Sequence, residues 1–170
     1  QALFTVAGLA LATGILIVPN CFRDSVAELL GFRWDVVERQ DMDLGLVEPA
    51  GLQVRDLLRQ LPGVLSVEPF RGAAARIRSG HRSRQIGILG TPVNTQHSRV
   101  VDANYREIAL PLEGLVVSAK LAEVLDAKVG DELTVEFLEG RRHARTVPLV
   151  AVSEDLTGIA AHMDMRALNR

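Results

Sequence analysis

Hydrophobic and polar positions divide the 170-residue chain into a charge-free stretch, residues 1–22, and a remainder with ordinary patterning. With its flanks, the apolar run from Ala2 to Val18 is long enough, at 1.5 Å per residue, to cross a ~30 Å hydrocarbon core. A transmembrane helix is therefore predicted over residues 1–21. A cleaved signal peptide fits less well, because Ile17-Val18-Pro19-Asn20-Cys21 offers no small-x-small cleavage site and no small residue before Cys21 for lipidation. A buried core helix of this length would need the polar face that is missing here. Gly8 and Ala12, and Ala10 and Gly14, fall four apart, which suits either close approach of another helix or a lipid-facing surface of small residues. Residues 22–40 keep the helical period, with Val26, Leu29, Leu30, Val36 and Val37 apolar against Asp24, Glu28, Arg33, Glu38 and Arg39. A stalk helix continuing the span is expected there. Phe22 would lie at headgroup level, whereas Trp34, ~18 Å further along the axis, is expected to pack on protein as a core anchor.

The period then changes, and the pattern predicts an α+β domain. Residues 41–47 alternate as a strand, Glu48 and Pro49 open a helix with Val54, Leu57, Leu58 and Leu61 on one stripe, Pro62-Gly63 stops it, and residues 64–70 form a second strand. Residues 73–77 and 84–89 flank Ser79-Gly80-His81 as an arginine-rich hairpin. This β-α-β unit and its hairpin make a first lobe, residues 41–90. A second, β-rich lobe, residues 91–170, begins with a loop of few apolar residues, 91–106. Leu115-Val116-Val117 is a short strand, Ser118 caps a helix over 119–128, Gly130-Asp131 turns into an alternating strand over 132–138, and Glu139-Gly140 starts a return strand over 146–152. Residues 163–168 look helical, and no internal repeat of fixed period occurs.

Composition sharpens this division. The chain is 48% hydrophobic with a mean hydropathy of +0.16 but only 4% aromatic, so its apolar excess sits in the first stretch and little aromatic material is left for a ligand pocket. A formal net charge of −2 provides no general attraction to nucleic acid, and a single cysteine, Cys21, forms no internal disulfide. No phosphate-binding glycine loop and no G-x-S-x-G turn occurs. His81, His97, His143 and His162 lack metal-ligand spacing. Ser153-Glu154-Asp155, and Asp41 with Asp43, read as the polar side of loop and strand. No catalytic, cofactor-binding or metal-binding residue is predicted, and no enzyme activity. Arg71, Arg76, Arg78, His81, Arg82 and Arg84 form the one concentrated charge. Arg76, Arg78, Arg82 and Arg84 are the candidate lipid or partner contacts, against the alternative of a solvated hairpin face. Nucleic acid is disfavoured there by the absence of an aromatic residue between Arg71 and Arg84.

The segment from Gly114 through Ser118, Leu121, Leu125, Gly130 and Asp131, reading GLVVSAKLAEVLDAKVGDELTV, resembles the extracytoplasmic domain of FtsX-like, MacB-type permease subunits of ABC transporters. LPGVLSVEPFR, RIRSGHRSR and GIAAHMDMRALN add to the resemblance, in order and spacing rather than by any one motif. The resemblance implies a membrane helix and stalk followed by a mixed extracytoplasmic domain, with a porter-like β-α-β lobe and a second, β-rich lobe. It implies a fragment of a permease in the bacterial cytoplasmic (inner) membrane, with residues after about 22 extracytoplasmic and a further membrane helix after Arg170. The implied partners are a separate cytoplasmic ATPase, a second permease copy or paralogue, membrane lipid, and a periplasmic adaptor or lipoprotein. The implied substrates are lipoproteins, lipids, peptides or drugs. The quoted motif residues are scaffold residues, and the loop 91–106 matches no family motif. The alternative is an extracytoplasmic sensor or binding domain on a single-span membrane anchor.

Overall fold

A computed structural model describes residues 2–48, 50–102, 104, 106–140, 143–154 and 158–169. It divides into two units, residues 1–39 and 40–170. In the first, helix α1, Ala2–Phe32, runs for 31 residues with Pro19 inside it. A single wider π turn, Arg33–Val37, follows, closed by the Glu38 N–H donating to the Arg33 carbonyl at 2.7 Å, and the backbone leaves the helix in an extended conformation at Glu38. The apolar side chains stand fully in the open, Phe4 at 86% and Ile15 at 69% exposure. Such a surface is stable only in contact with lipid or other protein. The segment 4–37 is long and apolar enough to cross a membrane. Trp34 is 55% exposed, contrary to the core role expected from its position.

The second unit is built on a closed six-stranded barrel. Strands β1 (Arg71–Ser79) and β2 (Arg82–Thr91) form the hairpin. They are joined by β3 (Leu115–Ser118), β4 (Glu132–Phe137), β5 (Ala144–Ser153) and β6 (Ala161–Asp164). The order around the barrel is β1-β2-β6-β3-β5-β4 and back to β1. The β2–β6 and β3–β5 pairs are parallel, the others antiparallel. Strands on both sides of position 91 thus share one sheet, and the hairpin expected in a first lobe belongs to the same barrel as the later strands. Alternation aims Ala73, Ala75, Ile77, Ile88, Leu133, Val135, Leu149 and Met163 into a common core. Helices α3 (Ala119–Leu125) and α4 (Met165–Leu168) follow β3 and β6. Because β3 and β6 run antiparallel, the two helices leave opposite ends, and Leu121, Leu125 and Leu168 extend the core from both.

Two expected strands are not formed. Residues 41–47 and 64–70 carry no strand pairing, and between them only α2 (Gln53–Leu58) is helical. Pro49, expected near the first turn of that helix, lies outside the described residues. A period-two pattern says which side chains share a face but not which neighbour takes the backbone hydrogen bonds. The closed barrel has no free edge to offer. The helix expected over 163–168 forms at Met165–Leu168, while Met163 and Asp164 instead end β6, which pairs with both β2 and β3.

The junction of β3 and α3 depends on one hydroxyl. Ser118 is 1% exposed, and its Oγ accepts from the Leu121 N–H at 3.3 Å, capping α3, and from the Ala160 N–H at 3.1 Å. Ser118→Ala removes both acceptors from a buried position and is expected to cost about 2 kcal/mol of stability. Equilibrium urea unfolding of the micelle-solubilised chain measures the loss, and an unchanged midpoint would contradict it.

Candidate functional site

The arginines of the hairpin are divided by strand geometry. On β1, Ala73, Ala75 and Ile77 point inward, so Arg76 and Arg78 point out. Across the β1–β4 ladder Arg76 stands opposite Glu136, whose Oε2 lies 3.2 Å from Arg76 Nη1 and 3.7 Å from Arg78 Nη2. Arg82 and Arg84 are opposite Ser79 and Ile77, on the inward-facing side at the turn end of the hairpin. There Arg82 Nη2 lies 3.4 Å from Asp126 Oδ2, just after α3. Arg71 pairs with Glu139 at 3.8 Å and hydrogen-bonds Asn169. Arg84 is exposed and, among the described residues, forms no ion pair. A run without acids in sequence thus acquires them from β4, the β4–β5 turn and α3, and Arg76 and Arg78 present a different face from Arg82 and Arg84. Exposed pairs of this kind contribute ~0–1 kcal/mol each. With these charges met internally, the triple variant Arg76→Ser, Arg78→Ser, Arg82→Ser is expected to bind anionic vesicles as the unaltered chain does. Vesicle flotation at low salt tests this, and reduced binding would assign the hairpin to lipid.

The segment 114–131 forms one continuous bracket around α3. Leu121 is fully buried and Leu125 is 1% exposed, both against the barrel core. Asp126 ends the helix in the left-handed conformation at φ 52°. Gly130 adopts φ +101° so that its N–H reaches the Leu149 carbonyl at 2.8 Å, while the Asp131 carbonyl accepts from Leu149 at 2.8 Å. Asp131 Oδ2 closes the turn by accepting from the Lys128 N–H at 2.7 Å. Ser118, Leu121, Leu125, Gly130 and Asp131 thus each make a contact that holds the barrel or its turns.

The loop 91–106 is less polar in space than in sequence. Val100 and Leu110 are buried with Val116, an outward-facing residue of β3, in a second small core that includes Ile108 and Ala151. The Ile108 N–H donates to the Val100 carbonyl at 2.8 Å and the Glu154 N–H to the Val101 carbonyl at 2.9 Å. Asp102 Oδ1 accepts from the Arg106 and Asn104 N–H groups at 2.9 and 2.8 Å. The first of these bonds in particular holds its carboxyl below the ordinary aspartate range. Glu68, which patterning did not single out, accepts from the Thr95 hydroxyl at 2.6 Å and from the Gln96 and His97 N–H groups at 3.0 and 3.3 Å. Burial alone would raise the Glu68 carboxyl, but these donors and the neighbouring His97 outweigh it and leave the carboxyl below its usual range. Its partners lie 27 to 29 residues along the chain, beyond the reach of local patterning. The hydroxyl spacing Thr95-Gln96-His97-Ser98 was the available hint of a turn with spare donors.

Reactive groups are dispersed. Among the described residues no group of three or more His, Cys, Asp and Glu side chains could hold a metal ion. His81 and His143 are exposed, and the His143 ring sits 5.2 Å from that of Phe137. Ser153 is buried and, among the described residues, its hydroxyl has no hydrogen-bond partner; Asp155 lies outside the described residues, and Cys21 is exposed on α1. A cleft of about 560 Å³ is lined by Leu112, Glu113, Asp164 and Arg166, where buried Asp164 caps α4 through the Arg166 and Ala167 N–H groups. A second, wholly apolar groove of about 650 Å³ follows α1 past Ala10, Gly14, Val18 and Pro19.

No family model and no curated protein matches the chain. Among solved structures it is similar to the extracellular domain of the noncanonic ABC-type transporter YknZ from Gram-positive bacteria, with 16% identity and a TM-score of 0.48. The match covers 69% of this chain and 63% of that one, so the chain spans less than two thirds of that solved domain.

Proposed function

We propose that the chain is part of an FtsX/MacB-type ABC transporter permease, in which an extracytoplasmic domain follows a membrane helix and moves with it. The observation that carries this reading is α1. Its charge-free apolar surface, exposed throughout, passes without a break into a stretch bearing Arg23, Asp24 and Glu28 and ends only at the π turn 33–37. A continuous helix transmits a displacement with little loss, whereas a linker absorbs it. The quoted motifs, in their order, are the second support. On this reading ATP is hydrolysed by a separate cytoplasmic subunit, the helix pairs with further permease helices, and the protein lies in the bacterial cytoplasmic membrane with the barrel outside. The substrate is a lipoprotein, lipid, peptide or drug that is extracted or exported by domain movement. On this reading the chain is a mechanical part with no chemistry of its own.

The test uses the full-length protein purified from its own membrane in detergent. An ATP-binding-cassette ATPase is expected to copurify, and a Gly-Pro insertion after Leu30 is expected to abolish transport and the stimulation of ATP hydrolysis by substrate while leaving the complex assembled. Purification without an ATPase, or a coupled transporter despite the insertion, would overturn the reading.

A further inference from the structure

We propose that Glu68 is a detachable latch that fastens the pre-barrel segment, residues 40–70, to the loop 92–98, and that opening it frees this segment while the barrel stays folded. Among the described residues, the hydrogen bonds that join residues 40–69 to the barrel and its loops all converge on this one carboxylate. The other hydrogen bonds of the segment are local, such as those of Val54 to Gly51 and Val64 to Leu61. Its apolar side chains add little anchorage, for Met42 is 81% exposed, Leu57 63% and Leu65 99%. The barrel does not need the segment. Its six strands close on each other, and its core draws on β1 to β6, α3, α4 and Ala127, with no residue of 40–70 among them.

The receiving side is built for a carboxylate. The turn is set by the Thr95 N–H donating to the Pro92 carbonyl at 3.2 Å. The Thr95 hydroxyl accepts from the Ser98 N–H at 3.3 Å, which leaves its own proton for Glu68. Gln96 N–H is shared between both carboxylate oxygens, at 3.0 and 3.2 Å, and His97 N–H adds a further donor. Several donors converging on one anion make a bond that is strong while closed yet lost as a unit when the anion leaves. The chain re-enters the barrel at Arg71, three residues beyond the latch, so its opening detaches the segment without severing anything else. Resting on the permease reading, the latch decides whether a pull along residues 40–70 reaches the loop or is absorbed before β1. The latch itself is tested without that reading.

The experiment is hydrogen–deuterium exchange by mass spectrometry on the intact chain in micelles, comparing it with Glu68→Ala, Glu68→Gln and Thr95→Val. Amides of Gln96 and His97, and those of residues 59–70, are expected to exchange at least tenfold faster in Glu68→Ala, with Glu68→Gln and Thr95→Val intermediate and peptides of β1 to β6 unchanged. Unaltered exchange at residues 92–98 in Glu68→Ala would overturn the latch. So would an equal loss of protection in the strands of either Glu68→Ala or the milder Thr95→Val, since Glu68 would then belong to the barrel's own cooperative unit. If the latch opens as expected and transport is insensitive to it, the latch stands but plays no part in relaying the pull; if no ATPase copurifies, the permease reading fails and the latch does not.

Discussion

Gly114→Ala is expected to lower the stability of the barrel domain by about 3 kcal/mol, near 10 °C in Tm. Two independent penalties meet at this residue. Its φ of +122° is one that a residue with a Cβ rarely adopts. A Cβ placed there would also lie 2.3 Å from Val150 Cγ2 and 3.3 Å from the Pro148 carbonyl oxygen, so the Val150 side chain or β5 itself has to shift for it to fit. Gly114 leads directly into β3, which pairs with both β5 and β6, and displacement there disturbs the closure of the barrel. Thermal unfolding of the micelle-solubilised chain, followed by hydrogen–deuterium exchange of its barrel peptides, measures the loss. A Tm within 2 °C of the unaltered chain would show that β5 yields freely and that the close approach carries no energetic weight, on the scale where 1 kcal/mol moves Tm by roughly 2–8 °C.

Leu11→Arg is expected to disfavour membrane insertion of the chain by ~3 kcal/mol, about a hundredfold in the insertion equilibrium. Leu11 lies midway along the charge-free stretch and is 67% exposed, so the guanidinium would meet hydrocarbon at the depth where neither end of the helix is within easy snorkelling reach. Leu11→Ala, at the same site, keeps the helix apolar and serves as control. Alkaline carbonate extraction of membranes carrying the 170-residue chain is the measurement. The unaltered chain and Leu11→Ala should stay in the pellet, and Leu11→Arg should be released in large part. Release of all three alike would mean that α1 does not span a bilayer, and would remove the basis of the permease reading together with the anchored-sensor alternative.

The features legible in the sequence were those fixed by near neighbours. The hairpin over 71–91 was readable because Ala75, Arg76, Ile77 and Arg78 alternate up to a Ser-Gly-His turn, and α3 because Ser118 stands three residues before the N–H it caps. Closure was not readable. β6 has four residues, no alternation of its own, and partners 44 to 73 positions earlier, so its identity as a strand is conferred by β2 and β3. Residues 41–47 carried the reverse error, since good alternation without a waiting edge produces no strand. The arginine cluster shows the same limit. Its composition was plain, but Glu136 and Asp126, which oppose it, arrive through pairing at distances that no local window contains. Glu68 was invisible for that reason too.

The order of strands around the barrel sets a timetable for biosynthesis. β2 is complete at Thr91, yet the neighbour that covers its outer edge, β6, ends at Asp164. At roughly 5–20 residues per second, ribosomal synthesis leaves that edge unpaired for about 4–15 s, and later the edge of β3 for about 2–9 s. Exposed edges of this sort pair with other chains when they meet them. Until then the growing polypeptide depends on whatever keeps copies apart, and residues 158–164 become the segment whose timely arrival decides between a sealed barrel and an aggregate.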